Sequence, residues 1–436
     1  MERSQYFWPI TTGLAVFAVH AILILFYGVN VPYWDQWDAE ANLYIGYIGG
    51  NLSVENIFAA HNEHRIFTAR IFYLLTFILG NGWSPIIAMI AQAAIAGFTA
   101  FYTLKIFFQH SLEIHIRKLF SIIIFCLFIQ PLQAENIFWG FQVCFYFLIL
   151  FSIILLNQLT KPLNFFSMAA ILLFSFLLGF TMASGISVVL LAILILWMHP
   201  ETNRKIIKYL TLFLLLLLLL ILFKLFITVP GHDSLKAKGI LGLLIAFVKV
   251  LGWPWSITGI LLVWIPIALI IFNHYSKIKN ITDWRKKTTS FQWFALSITV
   301  WTLIQLAGIA YARGGHDPFA LRYTTLFFFG TISFLFITLA FKKDLLMSPF
   351  FIVLLLVPVL VISAKSVKYW PQLSEQTQKK ILIRQNILTA LEKDDFSLLK
   401  AHEPEGMAGH PSAERVWKVI HDQDIKPYLK WIPEKQ

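Results

Sequence analysis

Three carboxylates, Asp35, Asp38 and Glu40, fall within one stretch of six residues, framed by Tyr33, Trp34 and Trp37, directly after the first membrane-length apolar run. Carboxylates are among the costliest groups to hold near hydrocarbon, and indole rings prefer the headgroup level. The cluster therefore reads as an acidic site at the membrane-water boundary, where a carboxylate can take a proton from a hydroxyl. The plainer reading is a solvated loop with an aromatic anchor. Three further polar clusters stand at the ends of apolar runs. They are His61-Asn62-Glu63-His64-Arg65; Glu135-Asn136 with Trp139 and Gln142; and Arg313-Gly314-Gly315-His316-Asp317 followed by Arg322-Tyr323. A chain that needed only to span a bilayer would have little reason to put acids, histidines and arginines at the ends of greasy helices.

Taken one at a time, these residues have competing explanations. Arg65 and Arg70 sit where Arg commonly snorkels to headgroups. Arg322 follows a Gly-Gly loop carrying Arg313 and His316, a set of donors able to hold a phosphate. His61 and His64, three apart around Glu63, could share a helical face and a metal, but a zinc protease would need His-Glu-x-x-His. Hydrogen bonding to a phosphate or a sugar hydroxyl is the other use for them. Lys224 lies near the end of its leucine-rich run and His20 near the middle of the first; both read as structural.

The elements that must position these groups are helices. Of 436 residues, 58% are hydrophobic and 13% charged, and the mean hydropathy of +0.71 agrees with a polytopic membrane protein. About eleven spans are expected, over 8–29, 84–108, 119–132, 140–158, 164–180, 185–198, 206–229, 256–273, 290–311, 323–341 and 347–364. The first is too long for a signal-peptide core and reads as retained. The stretches 66–80 and 239–252 are short, carry Arg70 and Lys249, and read as interfacial helices, which leaves eleven to thirteen as the range. With that choice His115 to Lys118, Arg204 to Lys208, Lys277 to Lys287 and Lys342 to Lys343 share the cytoplasmic side, and the polar clusters share the outer one. The runs 119–132 and 185–198 are short enough to predict a thinned rim or a partly re-entrant arrangement around Thr181 to Gly185.

After residue 364 the composition turns polar, with helical spacing from Leu373 to Leu399 and breakers at Pro404, Gly406, Gly409 and Pro411. The expected division is a membrane domain, 1–364, whose first outer loop is 30–83, and an extracytoplasmic helical tail, 365–436. Ile381, Ile383, Ile387, Leu388 and Leu391 are available to pack the tail onto the rest. The net charge of +12 sits mostly in short loops, where topology demands it, so no nucleic-acid role is assigned. The two cysteines, Cys126 and Cys144, lie in apolar runs and make no framework.

These residues resemble a family. A first span, an outer loop opening with Trp34-Asp35-Gln36, interfacial helices with a His-rich stretch, many further spans and an outward tail resemble the GT-C membrane glycosyltransferases that use polyprenyl-phosphate sugars. That group includes the aminoarabinose lipid A transferases, the protein O-mannosyltransferases and the bacterial O-antigen glucosyltransferases. The resemblance implies that Asp35 is the catalytic acid of the first loop, with Gln36 departing from the usual Glu and Asp38 in reserve. It implies a role for His61 to Arg65 in the place of a His-Pro-Pro stretch, here without prolines, and phosphate contact by Arg322-Tyr323. Glu40, Glu135, Asn136, Trp139 and Gln142 then fall on the substrate side.

In such a transfer a base takes the acceptor's hydroxyl proton while cations hold the departing phosphate. Asp35 suits the first task, and Arg322 with Arg313 or His316 the second; a single base opposite the leaving group implies inversion. A divalent cation, Mg or Mn, bridging the phosphate and Glu40 or Glu63 is an option left open. The implied partners are a polyprenyl-phosphate sugar, a lipid or glycan acceptor of the envelope and the lipids of a bacterial inner membrane, with the N-terminus cytoplasmic and the tail outside. A carrier or flippase of lipid-linked sugar is the second reading, and an envelope acyltransferase or ligase the third.

Overall fold

In a computed structural model, residues 3–109, 113–198, 204–255, 257–276 and 287–432 are described, and all their regular elements are helices. The chain opens with α1 (Arg3–Tyr27), then α2 (Gln36–Ile48), α3 (Val54–Phe58), α4 (Phe67–Leu79), α5 (Pro85–Phe108) and α6 (Ile114–Phe128). Next come α7 (Ala134–Phe138), α8 (Val143–Leu159), α9 (Phe165–Gly179), α10 (Gly185–Met198), α11 (Lys205–Lys224), α12 (Gly239–Leu251) and α13 (Ile265–Tyr275). The last are α14 (Ser290–Arg313), α15 (Thr324–Phe341), α16 (Pro349–Lys393), α17 (Phe396–Ala401) and α18 (Ala413–Ile420).

Among the described residues, seven helices are long and apolar enough to cross a membrane, or eight if α6 and the segment Pro131–Phe138, bent by 47°, make one span. This is a multi-pass membrane architecture. Each expected span contains a helix, though 119–132 and 206–229 run past the ends of α6 and α11, and α6 alone, α9, α10 and the 260–275 helix are shorter than a crossing needs at about 1.5 Å per residue. Helices α4 and α12, at 13 residues each, are shorter still, as the interfacial reading expects. The basic segment 277–287 lies outside the described residues except for Lys287.

Spans approach closely where side chains vanish. Gly13 of α1 faces Gly97 of α5: a Cβ on Gly97 would lie 2.5 Å from the Gly13 carbonyl oxygen, and one on Gly13 2.8 Å from that of Gly97. Such small-residue crossings bring two backbones together where lipid offers no hydrophobic drive. Helix α15 runs through the interior almost wholly enclosed, with Phe336 stacked on Phe107 at 3.8 Å between ring centroids. Helix starts are capped where they leave the apolar zone: Ser53 with Asn56, Asn164 with Ser167, and Thr289 with Gln292 form reciprocal boxes.

At residue 364, where composition changes, the backbone does not break. Helix α16 continues for 45 residues, through Pro358 and Pro371, to a left-handed Asp394 at its C-terminus. The tail folds back on this helix: Ile383 and Ile387 are buried with Val416 and Ile420 of α18, while Ile381, Leu388 and Leu391 are partly buried against the same core. It also packs on the first outer loop. Trp37 meets Trp83 at 5.3 Å and Trp431 at 5.7 Å, and the Trp83 amide donates to the Tyr428 carbonyl at 2.7 Å. Gly82, at φ +140, makes that contact possible, since a Cβ there would stand 2.4 Å from the Tyr428 oxygen.

Candidate functional site

Asp35 starts α2, and its carboxylate meets the His61 ring, Oδ1 to Nε2, at 3.3 Å. The His61 side chain is mostly enclosed, edge-on to Phe141, while Asp35 remains nearly one-third exposed. That combination leaves a carboxylate reachable by a substrate but oriented by a neighbour. His61 and His64 exchange backbone hydrogen bonds at 2.7 and 3.0 Å across a tight turn, so the two imidazoles go to different partners. His64 Nδ1 accepts the Ala183 amide at 3.2 Å. Burial pushes its pKa down to about 4, so at neutral pH the ring is uncharged, with the proton on Nε2.

His64 lines a cavity of about 310 Å³ bounded by Phe145, Met182, Phe226, Ile309 and Leu326. Its polar members include Glu63, His232, Lys236, Arg313 and Tyr323, beside the neutral Ser184, Thr228, Gln305 and Tyr311. Glu63 bonds the His232 ring; burial works to raise the Glu63 carboxyl, but the bond to His232, a backbone hydrogen bond and nearby imidazole charge together outweigh it and hold it below its ordinary value. Arg313 Nε donates to the Tyr323 hydroxyl at 3.0 Å, and Arg313 has no carboxylate partner among the described residues. Lys236 pairs with Asp233 at 2.6 Å, so what remains is an apolar chamber with that guanidinium and a neutral imidazole in its wall, which suits an amphiphile with an anionic head.

On the other side of the turn Leu321–Tyr323 lies a second cleft, of about 350 Å³. Arg322 stands in it, its guanidinium 3.1 Å from Glu135 and 5.2 Å from the Tyr323 ring centroid. Tyr33, Trp34 and Trp139 supply aromatic surface, and Gln376, Lys379 and Lys380 of α16 supply the opposite wall. Asn136 fixes the turn by donating to the Arg322 carbonyl at 2.8 Å and to the Thr325 hydroxyl at 2.9 Å. Asp35 is not a lining residue of either space. Its chain neighbours Tyr33 and Trp34 line the cleft, and its partner His61 exchanges backbone hydrogen bonds with His64 of the cavity.

The remaining expected residues go elsewhere. Glu40 is fully buried, accepting from Gln36 and Tyr44 side chains and from Trp83 Nε1 at 2.8 Å, and faces neither cavity. Asp38 faces the tail, bonded by His410 at 3.0 Å and Arg415 at 3.0 Å. Arg65 donates to the carbonyls of Phe58 and Leu225, and Arg70 to those of Ile57 and Ala59, so both tie loops together. Gln142 is buried, and His316 is exposed on its loop. The phosphate cradle expected from Arg322, Arg313 and His316 is thus divided, with the two arginines in different cavities. Among the described residues no three His, Cys, Asp or Glu side chains gather as metal ligands would.

His232, Lys236, Gln376 and Lys380 have no precursor in the sequence reading. His232 and Lys236 sit in a short polar loop that hydropathy alone passes over, and the two tail residues belong to a polar helix whose lining face only the docking reveals. Comparison of the chain with family models, curated proteins and solved structures finds no match.

Proposed function

We propose that this chain is a GT-C-like membrane glycosyltransferase. It moves a sugar from a polyprenyl-phosphate donor to an envelope acceptor, on the extracytoplasmic side of a bacterial inner membrane. In this reading the N-terminus is cytoplasmic, the tail is outside, and the short helices α9, α10 and the 260–275 segment complete about eleven crossings. The observation that carries the reading is Asp35 itself, partly exposed and paired with His61, with its neighbours Tyr33 and Trp34 in a polar, aromatic-walled cleft and His64, bonded to His61 through the backbone, in an apolar cavity lined by cations.

The donor lies in the apolar cavity with its phosphate against Arg313 and the Nε2–H of His64, while Lys236 is held by Asp233 at 2.6 Å. Arg322 gives up the phosphate role expected of it because Glu135 already pairs it and it faces the other cleft. The acceptor hydroxyl reaches Asp35, which takes its proton as the oxygen bonds the anomeric carbon. The bond from that carbon to the phosphate oxygen breaks, and these donors hold the phosphate that leaves. Attack opposite the leaving group inverts the centre.

Purified Asp35→Asn is expected to fold, insert and lose at least about a hundredfold in transfer, within the range of a general base. Turnover at the wild-type rate in that variant would remove Asp35 from the chemistry. Envelope lipids and glycans of a deletion strain should lack a hexose- or pentose-sized increment by mass spectrometry, whereas an acyl-sized loss would overturn the assignment to sugar transfer.

A further inference from the structure

The cleft between the tail helix and the first outer loop has a chemistry of its own. Trp34 is 45% exposed at its edge, and its backbone is held at φ +49, a left-handed conformation that bulky residues rarely adopt. What holds it there is the tail, because the Trp34 amide donates to the Gly409 carbonyl at 2.8 Å. A large ring kept in a costly conformation and left uncovered beside a cavity points to a ligand that covers it. Behind it Trp139 is edge-on to Tyr33 at 5.7 Å, its Nε1 donating to the Tyr33 carbonyl at 3.2 Å, so the aromatic wall is fixed in place.

The facing wall is cationic. Lys380 donates to the Phe138 carbonyl at 2.9 Å and lies 5.2 Å from the Tyr33 ring centroid; Lys379 beside it is exposed. Neither lysine has a carboxylate partner among the described residues, and the cleft's one acid, Glu135, is already taken by Arg322. Gln376 adds an amide that bonds Tyr369. Aromatic faces stack on the C–H faces of pyranose rings, amides bond hydroxyls, and ammonium groups in excess of the cleft's one acid favour a carboxylate or phosphate on the same molecule. The volume, about 350 Å³, falls within the range of roughly 300–1,000 Å³ usual for small-molecule sites.

We infer that this cleft is a binding site for an acidic saccharide, with Trp34 as its stacking platform and Lys379 and Lys380 as its charge readers. The inference gives the acceptor of the proposed transferase a chemical class, and rests on that proposal only for what happens to the sugar once bound. The site is assembled only when the tail docks, since one wall belongs to α16 and the platform is held by Gly409.

The test is equilibrium dialysis of the full chain, in a neutral detergent without sugar headgroups, against labelled digalacturonic acid. Saturable binding is expected, with maltose at least tenfold poorer as a competitor. Trp34→Ala should weaken binding about tenfold, and Lys379→Gln, at an exposed position that disturbs no packing, should weaken it several-fold; Lys379→Gln combined with Lys380→Gln should abolish the preference over maltose. Equal competition by maltose, unchanged affinity in the lysine variants, or displacement of the sugar by phosphatidylglycerol would overturn the inference. Asp35→Asn should bind as the wild type does. Binding without transfer in the wild-type chain would therefore sink the enzymatic proposal alone, and wild-type transfer to a neutral acceptor without digalacturonate binding would sink this inference alone.

Discussion

Glu40 shows how far environment separates neighbouring carboxylates. Burial pushes its pKa up to about 7, despite the three donors around it, whereas the hydrogen bond from His410, helped by Arg415, holds Asp38 below its ordinary value two residues earlier. A raised carboxyl means the folded chain binds more protons than the unfolded one between about pH 4.5 and 7, so stability falls as pH rises through that window and levels off above it. The expected loss is on the order of 3 kcal/mol, and Glu40→Gln should flatten it, as melting midpoints measured from pH 5 to 8 would show. A slope unchanged by the substitution would assign the dependence to another group. In the proposed reaction His61 positions Asp35, which it meets at 3.3 Å, so His61→Gln is expected to lower kcat about tenfold and leave KM nearly unchanged. The sequence made all these acids visible as a cluster at the boundary. It could not rank them, because Glu40 is removed from solvent by Trp83 and Tyr44, residues 43 and 4 positions away.

At the scale of helices, the apolar runs were legible because a backbone in lipid must satisfy its own hydrogen bonds, and a helix is the local way to do so. That is why each predicted span contains a helix. The end of the last one was not legible. A switch to Gln, Glu and Lys after residue 364 marks where water begins, but those residues form helix as readily as Leu does, so α16 runs on. Close crossings were equally hidden, since Gly13 and Gly97 matter only once they face each other. Gly97→Val should force α1 from α5 and cost about 1–3 kcal/mol, read as a lowered aggregation temperature in detergent. Gly242→Ala in α12, where an added methyl would meet nothing nearer than 3.8 Å, should be neutral or slightly stabilising and serves as the control.

Across the whole molecule, the tail is joined to the first outer loop by groups nearly 400 residues apart. Arg415 donates to Asp38 at 3.0 Å, to the Trp37 carbonyl at 2.5 Å and to Asn42 at 2.7 Å. Arg415→Ala should loosen this seam, exposing the segment between α17 and α18 to limited proteolysis while the spans stay protected; equal cleavage in both proteins would mean that apolar packing around Trp431 holds the tail unaided. The sequence offered the tail's apolar stripe but no address for it, because nothing local in Trp37 or Asp38 specifies a partner so distant. The unbroken α16 carries a geometric corollary. At about 1.5 Å and 100° per residue, one residue inserted near position 368 would swing the tail round by over a quarter turn, while seven would lift it about 10 Å at almost its original bearing. The helix therefore works as a gauge: its length sets where the tail meets the first outer loop, and an insertion series would read that position out one residue at a time.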